Sequence, residues 1–300
     1  MSKIVKPGQR VLVLGASGML GAALVPLLLG AGYEVVAPSH SELDITDPEA
    51  VKVLVCGCAP SAVINCAAYT AVDKAEDERA EAELINCAGA ANIARAAEAA
   101  GAKFIHISTD FVFDGTKNTP YLEDDEPSPI GVYGSSKLAG EEQITGIGGD
   151  FLIVRTSWLY GPGSENFVTK IAEKARSSKE LRVVFDQVGT PTYTQDLAEA
   201  IINLMARELS SGIYHFSNEG VASWYDFAVA VVDGLKRRGV ELSVERVQPV
   251  LSAAYKTPAK RPPYSVMDKT KYKDAVDASV RHWSAALSLY LDDIYSTVQD

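Results

Sequence analysis

The first half of the chain alternates short apolar runs with stretches of helical pattern. A continuous apolar run of about four to eight residues is typical of a strand that is buried on both faces. We predict such strands at residues 10–14, 33–37, 62–65, 103–107 and 151–155. Helices are predicted between them at residues 22–29, 47–55, 78–100 and in the segment that contains residues 133–137. Strict alternation of strand and helix indicates a parallel sheet with right-handed crossovers.

This alternation loosens after about residue 158. Helices are predicted at residues 166–177, 194–207, 224–237 and 284–296, and strands at residues 181–185 and 213–216. We therefore expect an α/β protein with a doubly wound parallel sheet and a smaller C-terminal α/β domain. In this prediction residues 1–157 form the first domain and residues 186–216 return to it. Residues 158–185 and 217–300 form the second domain.

A glycine-rich turn joins the first predicted strand to the first predicted helix. Its glycines allow a tight turn and close approach of a diphosphate, and the helix N-terminus offers unpaired N–H groups to that anion. The alternative is a purely structural loop. The candidate dinucleotide-binding residues of the turn are Gly15, Ser17, Gly18, Met19, Leu20 and Gly21. The turn predicts that the first domain is a Rossmann-type NAD(P)-binding domain and that the second binds the substrate.

The ends of the second and third predicted strands supply further candidate cofactor contacts. No carboxylate follows the second strand at residues 37–41, where one would hold the adenosine ribose in NAD-binding proteins. Ser39 and His40 could instead contact a 2′-phosphate, which favours NADPH, with NADH as the alternative. Asp44 and Ile45 are placed at the adenine, although Asp44 could instead cap the helix at residues 47–55. The third strand ends in candidate backbone contacts at Ala67, Ala68 and Tyr69.

Three side chains form the candidate catalytic centre. Tyr133 and Lys137 are four residues apart and share one face of a helix, and Thr109 follows the fourth strand. A hydroxyl, a phenol and an ammonium that converge can polarise a carbonyl and protonate its oxygen. We expect the charge of Lys137 to lower the pKa of Tyr133 from its ordinary value of about 10. The alternative is that Tyr133 packs a helix and Lys137 is a solvated surface residue.

Composition and charge argue against several classes of function. The formal net charge is −11, which disfavours binding to nucleic acid or to an anionic membrane. No charged-then-apolar leader is present and no apolar run reaches about 18 residues, so we expect a cytoplasmic protein with reduced thiols. The pair Cys56 and Cys58 lacks a second cysteine pair or histidine cluster, which argues against a metal site. His106 is interpreted as a histidine that is satisfied in the core.

Motifs at intervals along the chain resemble those of one family. They lie at residues 15–21, 65–76, 108–115, 133–141, 155–161, 186–192, 224–226 and 261–262. The first has the spacing Gly-x-x-Gly-x-x-Gly, and the third reads Ser-Thr-Asp-Phe-Val-Phe-Asp-Gly. Together they resemble the dTDP-4-dehydrorhamnose reductases, extended short-chain dehydrogenase/reductases of deoxysugar synthesis. The resemblance covers nearly the whole chain from about residue 10.

The resemblance implies that NADPH reduces the C4 ketone of dTDP-4-dehydro-L-rhamnose to give dTDP-L-rhamnose. Tyr133 would deliver the proton, Lys137 would tune Tyr133 and hold the nicotinamide ribose, and Thr109 would hydrogen-bond the substrate oxygen. The implied substrate contacts are Asp110 and Trp158 at the sugar and Arg261 at the diphosphate. From the residues alone, Trp158 could instead be a core aromatic. Arg261 could belong to an ordinary Pro-rich surface loop at residues 255–264.

The chain also departs from the family pattern. Some members form dimers through a metal ion that glutamates hold, and the corresponding positions here are Ala23 and Gln195. We therefore expect no metal in that role and a monomer or a weak homodimer.

Three other functions compete with reduction. A sugar-nucleotide dehydratase needs a glutamate beside Asp110, where this chain has Phe111. An epimerase can use the same Thr, Tyr and Lys. A non-catalytic NADP-binding regulatory subunit would bind the cofactor and a partner enzyme without turnover.

Overall fold

A six-stranded parallel sheet is the centre of the fold in the computed structural model, which describes residues 3–295. Its strands are β1 (Arg10–Leu14), β2 (Glu34–Val36), β3 (Ala62–Asn65), β4 (Lys103–Thr109), β5 (Phe151–Thr156) and, later in the chain, β10 (Gly212–His215). The spatial order is β10-β5-β4-β3-β1-β2, and every neighbouring pair is parallel. The prediction of a doubly wound parallel sheet is confirmed.

Helices cover both faces of this sheet. They are α1 (Met19–Gly30), α2 (Pro48–Cys58), α3 (Arg79–Glu83), α4 (Ala90–Ala99), α5 (Val132–Ile147) and α7 (Thr194–Met205). Successive residues of β1 point to opposite faces: Val11 and Val13 pack with α1 and α7, while Leu12 and Leu14 pack with α2 and α4. Burial on both faces explains why the strands are continuous apolar runs rather than alternating ones.

Most of the remaining elements form a second layer of structure beside the sheet. Its helices are α6 (Phe167–Ser177), α8 (Trp224–Arg237) and α10 (Trp283–Tyr295). Helix α9 (Thr270–Val276) instead packs into the main core with α1 and α7. Short strands pair two by two: β6 (Leu159–Tyr160) with β9 (Thr192–Tyr193), β7 (Glu180–Val184) with β12 (Arg246–Val250), and β8 (Val188–Gly189) with β11 (Ala222–Ser223). A separate apolar core lies among α6, α8 and α10. The predicted domain boundaries stay a prediction.

Several predicted elements differ from the observed ones. The prediction missed β12, because Pro249 interrupts its apolar pattern; proline is tolerated there since the strand has a neighbour on one side only. The helix predicted at residues 78–100 widens into a π-helix at Leu84–Gly89. Helix α1 begins at Met19 rather than at residue 22, so Gly21 lies inside it. Residue 296, predicted to end the last helix, lies outside the described residues.

Asn86 connects the π-helix to its neighbours. The Asn86 side chain accepts a hydrogen bond from the Tyr69 N–H at 2.9 Å and donates to the Tyr69 carbonyl at 3.0 Å and to the Ser136 hydroxyl at 2.9 Å. A Cβ on Gly140 of α5 would lie only 2.3 Å from the Asn86 carbonyl oxygen. The wide turn places the Asn86 backbone directly against α5. It places the Asn86 side chain against Tyr69, in the segment after β3.

A buried ion pair fixes α5 to the sheet. Glu141 accepts hydrogen bonds from Arg155 of β5, with Nη2–Oε2 at 2.7 Å and Nε–Oε1 at 3.0 Å, and from the Ser108 hydroxyl of β4. Glu141 and Arg155 are 2% and 1% exposed. Because removal of one partner leaves the other charge buried and uncompensated, this pair is sensitive to substitution.

We therefore expect Glu141→Gln to lower the free energy of unfolding by about 3 kcal/mol. Urea denaturation followed by circular dichroism measures this change. Glu142→Gln is the matched control, since Glu142 is exposed on the same helix, and it should change stability by less than about 0.5 kcal/mol. Equal effects of the two substitutions would show that the buried pair does not stabilise the fold.

Candidate active site

The glycine turn lies directly against the end of β3. Gly15 has a φ of +75°, and a Cβ there would lie 2.5 Å from the Ala67 amide nitrogen. A Cβ on Gly21 would lie 2.4 Å from the Gly15 carbonyl oxygen. The first turn of α1 begins at Gly18, which provides no side-chain cap. Its N–H groups and the helix dipole therefore favour an anionic ligand, as a dinucleotide diphosphate requires.

A cleft of about 500 Å³ opens above this turn, at the carboxyl ends of the parallel strands. The predicted cofactor residues that line it are Gly15, Ser17, Gly18, Ser39, Asp44, Ile45, Ala67 and Ala68. Met19, Leu20 and Gly21 form the start of α1 beside it, and the Leu20 side chain is buried in the core. The Tyr69 hydroxyl donates a hydrogen bond to Glu78. The residues present thus fit a dinucleotide; their role as ligands stays a prediction.

The end of β2 differs from the sequence analysis in one respect. The turn after Pro38 folds Glu42 back, so that its carboxylate accepts hydrogen bonds from the Ser39 N–H at 2.7 Å and the Ser39 hydroxyl at 2.8 Å. The hydrogen bond from the Ser39 backbone lowers the pKa of Glu42, as does the one from its hydroxyl. A carboxylate is therefore present, although none occurs at residues 37–41. The Ser-x-x-Glu spacing of a capping box was the sequence signal for it.

Asp44 does not cap the following helix. Its carboxylate accepts hydrogen bonds from the Thr46 N–H at 2.9 Å and the Thr46 hydroxyl at 2.8 Å. Asp47 caps α2 instead, by accepting hydrogen bonds from the N–H groups of Glu49 and Ala50. The capping interpretation of Asp44 is wrong, and Asp44 is left on the wall of the cleft.

Thr109 and Tyr133 meet at the end of β4. The Thr109 hydroxyl donates a hydrogen bond to Asp110 Oδ1 at 3.1 Å, and it lies close enough to Tyr133 to lower the pKa of the phenol. Burial raises the pKa of Tyr133 to about 12, and the charge of Asp110 adds to this. The expected lowering of the Tyr133 pKa by Lys137 is wrong in this structure, because desolvation is the larger effect. The phenol is consequently protonated at neutral pH, which is the form that can donate a proton.

Lys137 is not a solvated surface residue. It is 2% exposed, and its Nζ donates to the Ile107 carbonyl oxygen at 2.6 Å and lies 3.2 Å from His106 Nε2. Burial lowers the pKa of Lys137 to about 8, while the negative charge of Glu141 opposes that shift. Lys137 also acts electrostatically on Cys66, which lines the cleft. Lys137 therefore lies near Cys66 on the cleft wall, but none of the three catalytic candidates is among the residues that line the cleft.

Asp110 and Trp158 are the candidate sugar contacts. Asp110 is 2% exposed, and among the described residues its Oδ2 accepts no hydrogen bond. Burial raises the pKa of Asp110 to about 6. Trp158 has a φ of +47°, which is strained for an aromatic residue, and its indole stacks on Trp224 with the ring centroids 3.5 Å apart. The sequence analysis did not include Trp224 among the site residues.

Arg261 is held by an ion pair. Its Nη2 lies 2.9 Å from Asp73 Oδ2, and its side chain is 24% exposed. The Pro-rich loop around Arg261 packs against two other segments of the chain. Pro263 lies so close to Gly115 that a Cβ there would be only 2.5 Å away. The Pro263 carbonyl oxygen also accepts a hydrogen bond from the Val188 N–H. A role at a diphosphate would require Asp73 to share or release the guanidinium, and that role stays a prediction.

Within residues 3–295, no three His, Cys, Asp or Glu side chains come close enough together to hold a metal ion. Over the same residues, no helix has both the length and the apolar character to cross a bilayer.

Comparisons with known proteins agree with this geometry. A family model described as the RmlD substrate binding domain matches residues 9–296. The spore coat polysaccharide biosynthesis protein SpsK of Bacillus subtilis is 43% identical, over 95% of this chain and 97% of its own length. The dTDP-4-dehydrorhamnose reductase of Streptomyces griseus is also 43% identical, over 94% of this chain and 93% of its own.

Among solved structures, the dTDP-4-dehydrorhamnose reductase of Bacillus anthracis in complex with NADP superimposes with a TM-score of 0.90. It is 37% identical, and the match covers 95% of this chain and 99% of that one. The family model spans nearly the whole chain, and the relatives match it over nearly their full lengths. The chain therefore belongs to the dTDP-4-dehydrorhamnose reductase family.

Proposed function

We propose that this protein uses NADPH to reduce the C4 ketone of dTDP-4-dehydro-L-rhamnose to dTDP-L-rhamnose, with NADH as an alternative donor. The observation that carries the proposal is the hydrogen bond from buried Lys137, one turn after Tyr133 on α5, to the Ile107 carbonyl oxygen, two residues before Thr109 on β4. The nicotinamide supplies the hydride when the cofactor is bound. The residues of this chain supply the proton and the orientation.

Tyr133 acts as the general acid. Its phenol is protonated at neutral pH because burial raises its pKa, and the alkoxide that develops at C4 is a strong enough base to take that proton. Thr109 orients the ketone oxygen through its hydroxyl. The ammonium of Lys137 stabilises the phenolate that remains after proton transfer.

The substrate is held on the side of the second apolar core. Asp110 Oδ2 is a buried acceptor that a sugar hydroxyl can satisfy. Trp158 forms the wall of the sugar pocket, and Arg261 pairs with the diphosphate, whose oxygens suit a guanidinium fork. We also propose a cytoplasmic location and a monomer or weak homodimer that works without a bound metal.

A dehydratase is less compatible with the site. The position after Asp110 holds Phe111, whose ring packs edge-on against the Tyr133 ring with centroids 5.6 Å apart. An apolar ring there has no proton to give to a leaving hydroxyl. A regulatory subunit would bind NADPH without oxidising it, and the following assay separates that role from catalysis.

Tyr133→Phe tests the role of the general acid. This substitution removes the proton donor and keeps the ring, so kcat should fall by about a hundredfold or more. Dinucleotide affinity, measured by fluorescence titration, should stay within about twofold. Turnover is followed as NADPH oxidation that depends on the 4-keto sugar nucleotide. Tyr255→Phe, at an exposed tyrosine, is the matched control and should keep full activity. A near-normal rate for Tyr133→Phe would show that another group donates the proton.

A substitution at Glu42 tests the preference for NADPH over NADH. The Glu42 carboxylate occupies the Ser39 donors that a 2′-phosphate would use, so Glu42→Gln should tighten NADPH binding about tenfold, or about 1.4 kcal/mol. NADH binding should change little. Glu34→Gln is the control, because Glu34 is an exposed glutamate at the other end of β2. An equal change for both cofactors would mean that Glu42 does not discriminate between them.

A further inference from the structure

Three buried polar side chains form a row behind the catalytic centre. Asn65 ends β3, His106 lies opposite it on β4, and Lys137 reaches them from α5. Asn65 Nδ2 is 3.1 Å from His106 Nδ1, and His106 Nε2 is 3.2 Å from Lys137 Nζ. The three residues are 1%, 1% and 2% exposed. His106 is therefore more than a satisfied core residue, since one of its nitrogens faces a catalytic candidate.

The hydrogen bonds fix which histidine nitrogen carries the proton. The Ala67 N–H donates to Asn65 Oδ1 at 3.0 Å, so the Asn65 amide can present only its NH₂ group to His106 Nδ1. Nδ1 must then accept that hydrogen bond. Burial lowers the pKa of His106 well below its ordinary value, and the nearby Lys137 charge contributes to this. A neutral imidazole that accepts at Nδ1 carries its proton on Nε2.

This tautomer directs an N–H group at Lys137 Nζ. An ammonium has only donors, so Nε2–H and a protonated Lys137 face each other without a hydrogen bond. A neutral amine has a lone pair and can accept from Nε2–H, while it still donates to the Ile107 carbonyl oxygen. The row Asn65–His106–Lys137 is therefore fully hydrogen-bonded only when Lys137 has lost its proton.

We propose that His106, with its tautomer set by Asn65, is a positioning residue beside Lys137 Nζ that lowers the affinity of the amine for its proton. The consequence for turnover rests on the proposed function. The Tyr133 phenolate formed in each cycle regains its proton from solvent, and the charge of Lys137, one turn along α5, sets how readily it does so. The buried His106 thus tunes the proton supply without touching the substrate.

Other ionisable groups around Lys137 act in both directions. Glu141, on the same helix, and Cys66, after β3, both favour the ammonium when they are charged. Glu141 is itself paired with Arg155. Tyr133 and Asp110 lie on the substrate side. Among these groups and His106, it is His106 that presents a hydrogen-bond donor to Lys137 Nζ, at 3.2 Å.

The test uses the full chain without ligands and reads both groups by NMR. Long-range ¹⁵N–¹H correlation of labelled histidine distinguishes Nε2–H from Nδ1–H, and the ¹³Cε shift of labelled lysine reports the titration of Lys137. Signals are assigned through His106→Asn and Lys137→Met. We expect a neutral Nε2–H tautomer for His106 near neutral pH, and a Lys137 midpoint well below that of exposed lysines. An Nδ1–H tautomer in the unsubstituted protein would overturn the proposal.

Asn65→Asp should reverse the direction of the hydrogen bonds in the row Asn65–His106–Lys137. An aspartate can still accept from the Ala67 N–H, but it also accepts from Nδ1–H, so His106 should switch tautomer and offer a lone pair to the ammonium. The Lys137 midpoint should then rise by about one pH unit or more. Asn118→Asp adds the same charge at an exposed position and is the matched control. A tautomer switch without a change in the midpoint would also overturn the proposal.

The basic limb of the pH profile of kcat should move in the same direction in Asn65→Asp, provided that the protein is the proposed reductase. If no sugar nucleotide is turned over, the proposed function fails while the NMR result still decides the role of His106. If Asn65→Asp does not fold, the tautomer of the unsubstituted protein remains decisive.

Discussion

The site depends on the Glu141 carboxylate. It binds the Arg155 guanidinium and the Ser108 hydroxyl and so joins α5 to two adjacent strands of the sheet. Tyr133 and Lys137 lie on the preceding turns of this helix, so any shift of Glu141 would move them relative to Thr109. Burying two charges is costly unless their hydrogen bonds are nearly complete. Arg155 also lies over the Phe113 ring at 5.1 Å, which gives the guanidinium a favourable apolar surface.

Close approach of backbones is the second constraint. A Cβ on Gly134 would lie 2.2 Å from the Phe111 carbonyl oxygen, and one on Gly140 would lie 2.3 Å from that of Asn86. Each glycine within a helix costs about 1 kcal/mol relative to alanine. Both glycines nevertheless allow close packing of α5. Gly134 lets the helix lie against the segment after β4, and Gly140 lets it lie against the π-helix. These two close backbone contacts fix the position of the helix that carries Tyr133.

Local sequence features predicted the main sheet well. Strands such as Arg10–Leu14 are buried on both faces, so their apolar runs are unambiguous, and Gly15 at a positive φ explains the motif that follows. The sequence could not predict effects that depend on distance in space. Lys137 shares a helical face with Tyr133, yet burial determines the Tyr133 pKa. Glu42 acts on Ser39 only because a turn brings it back. The hydrogen-bond partners of His106 likewise required the strand register.

The stacked indoles of Trp158 and Trp224 give the protein a built-in optical signal. Their rings are nearly parallel, with an interplanar angle of 5°, and the chain contains only one other tryptophan. Chromophores this close are electronically coupled, so the pair contributes a signal of its own to the ultraviolet dichroism of the molecule. One member carries a left-handed backbone at the proposed sugar pocket. Arrival of a sugar beside it would disturb the electronic coupling, so occupancy could be followed in unlabelled protein.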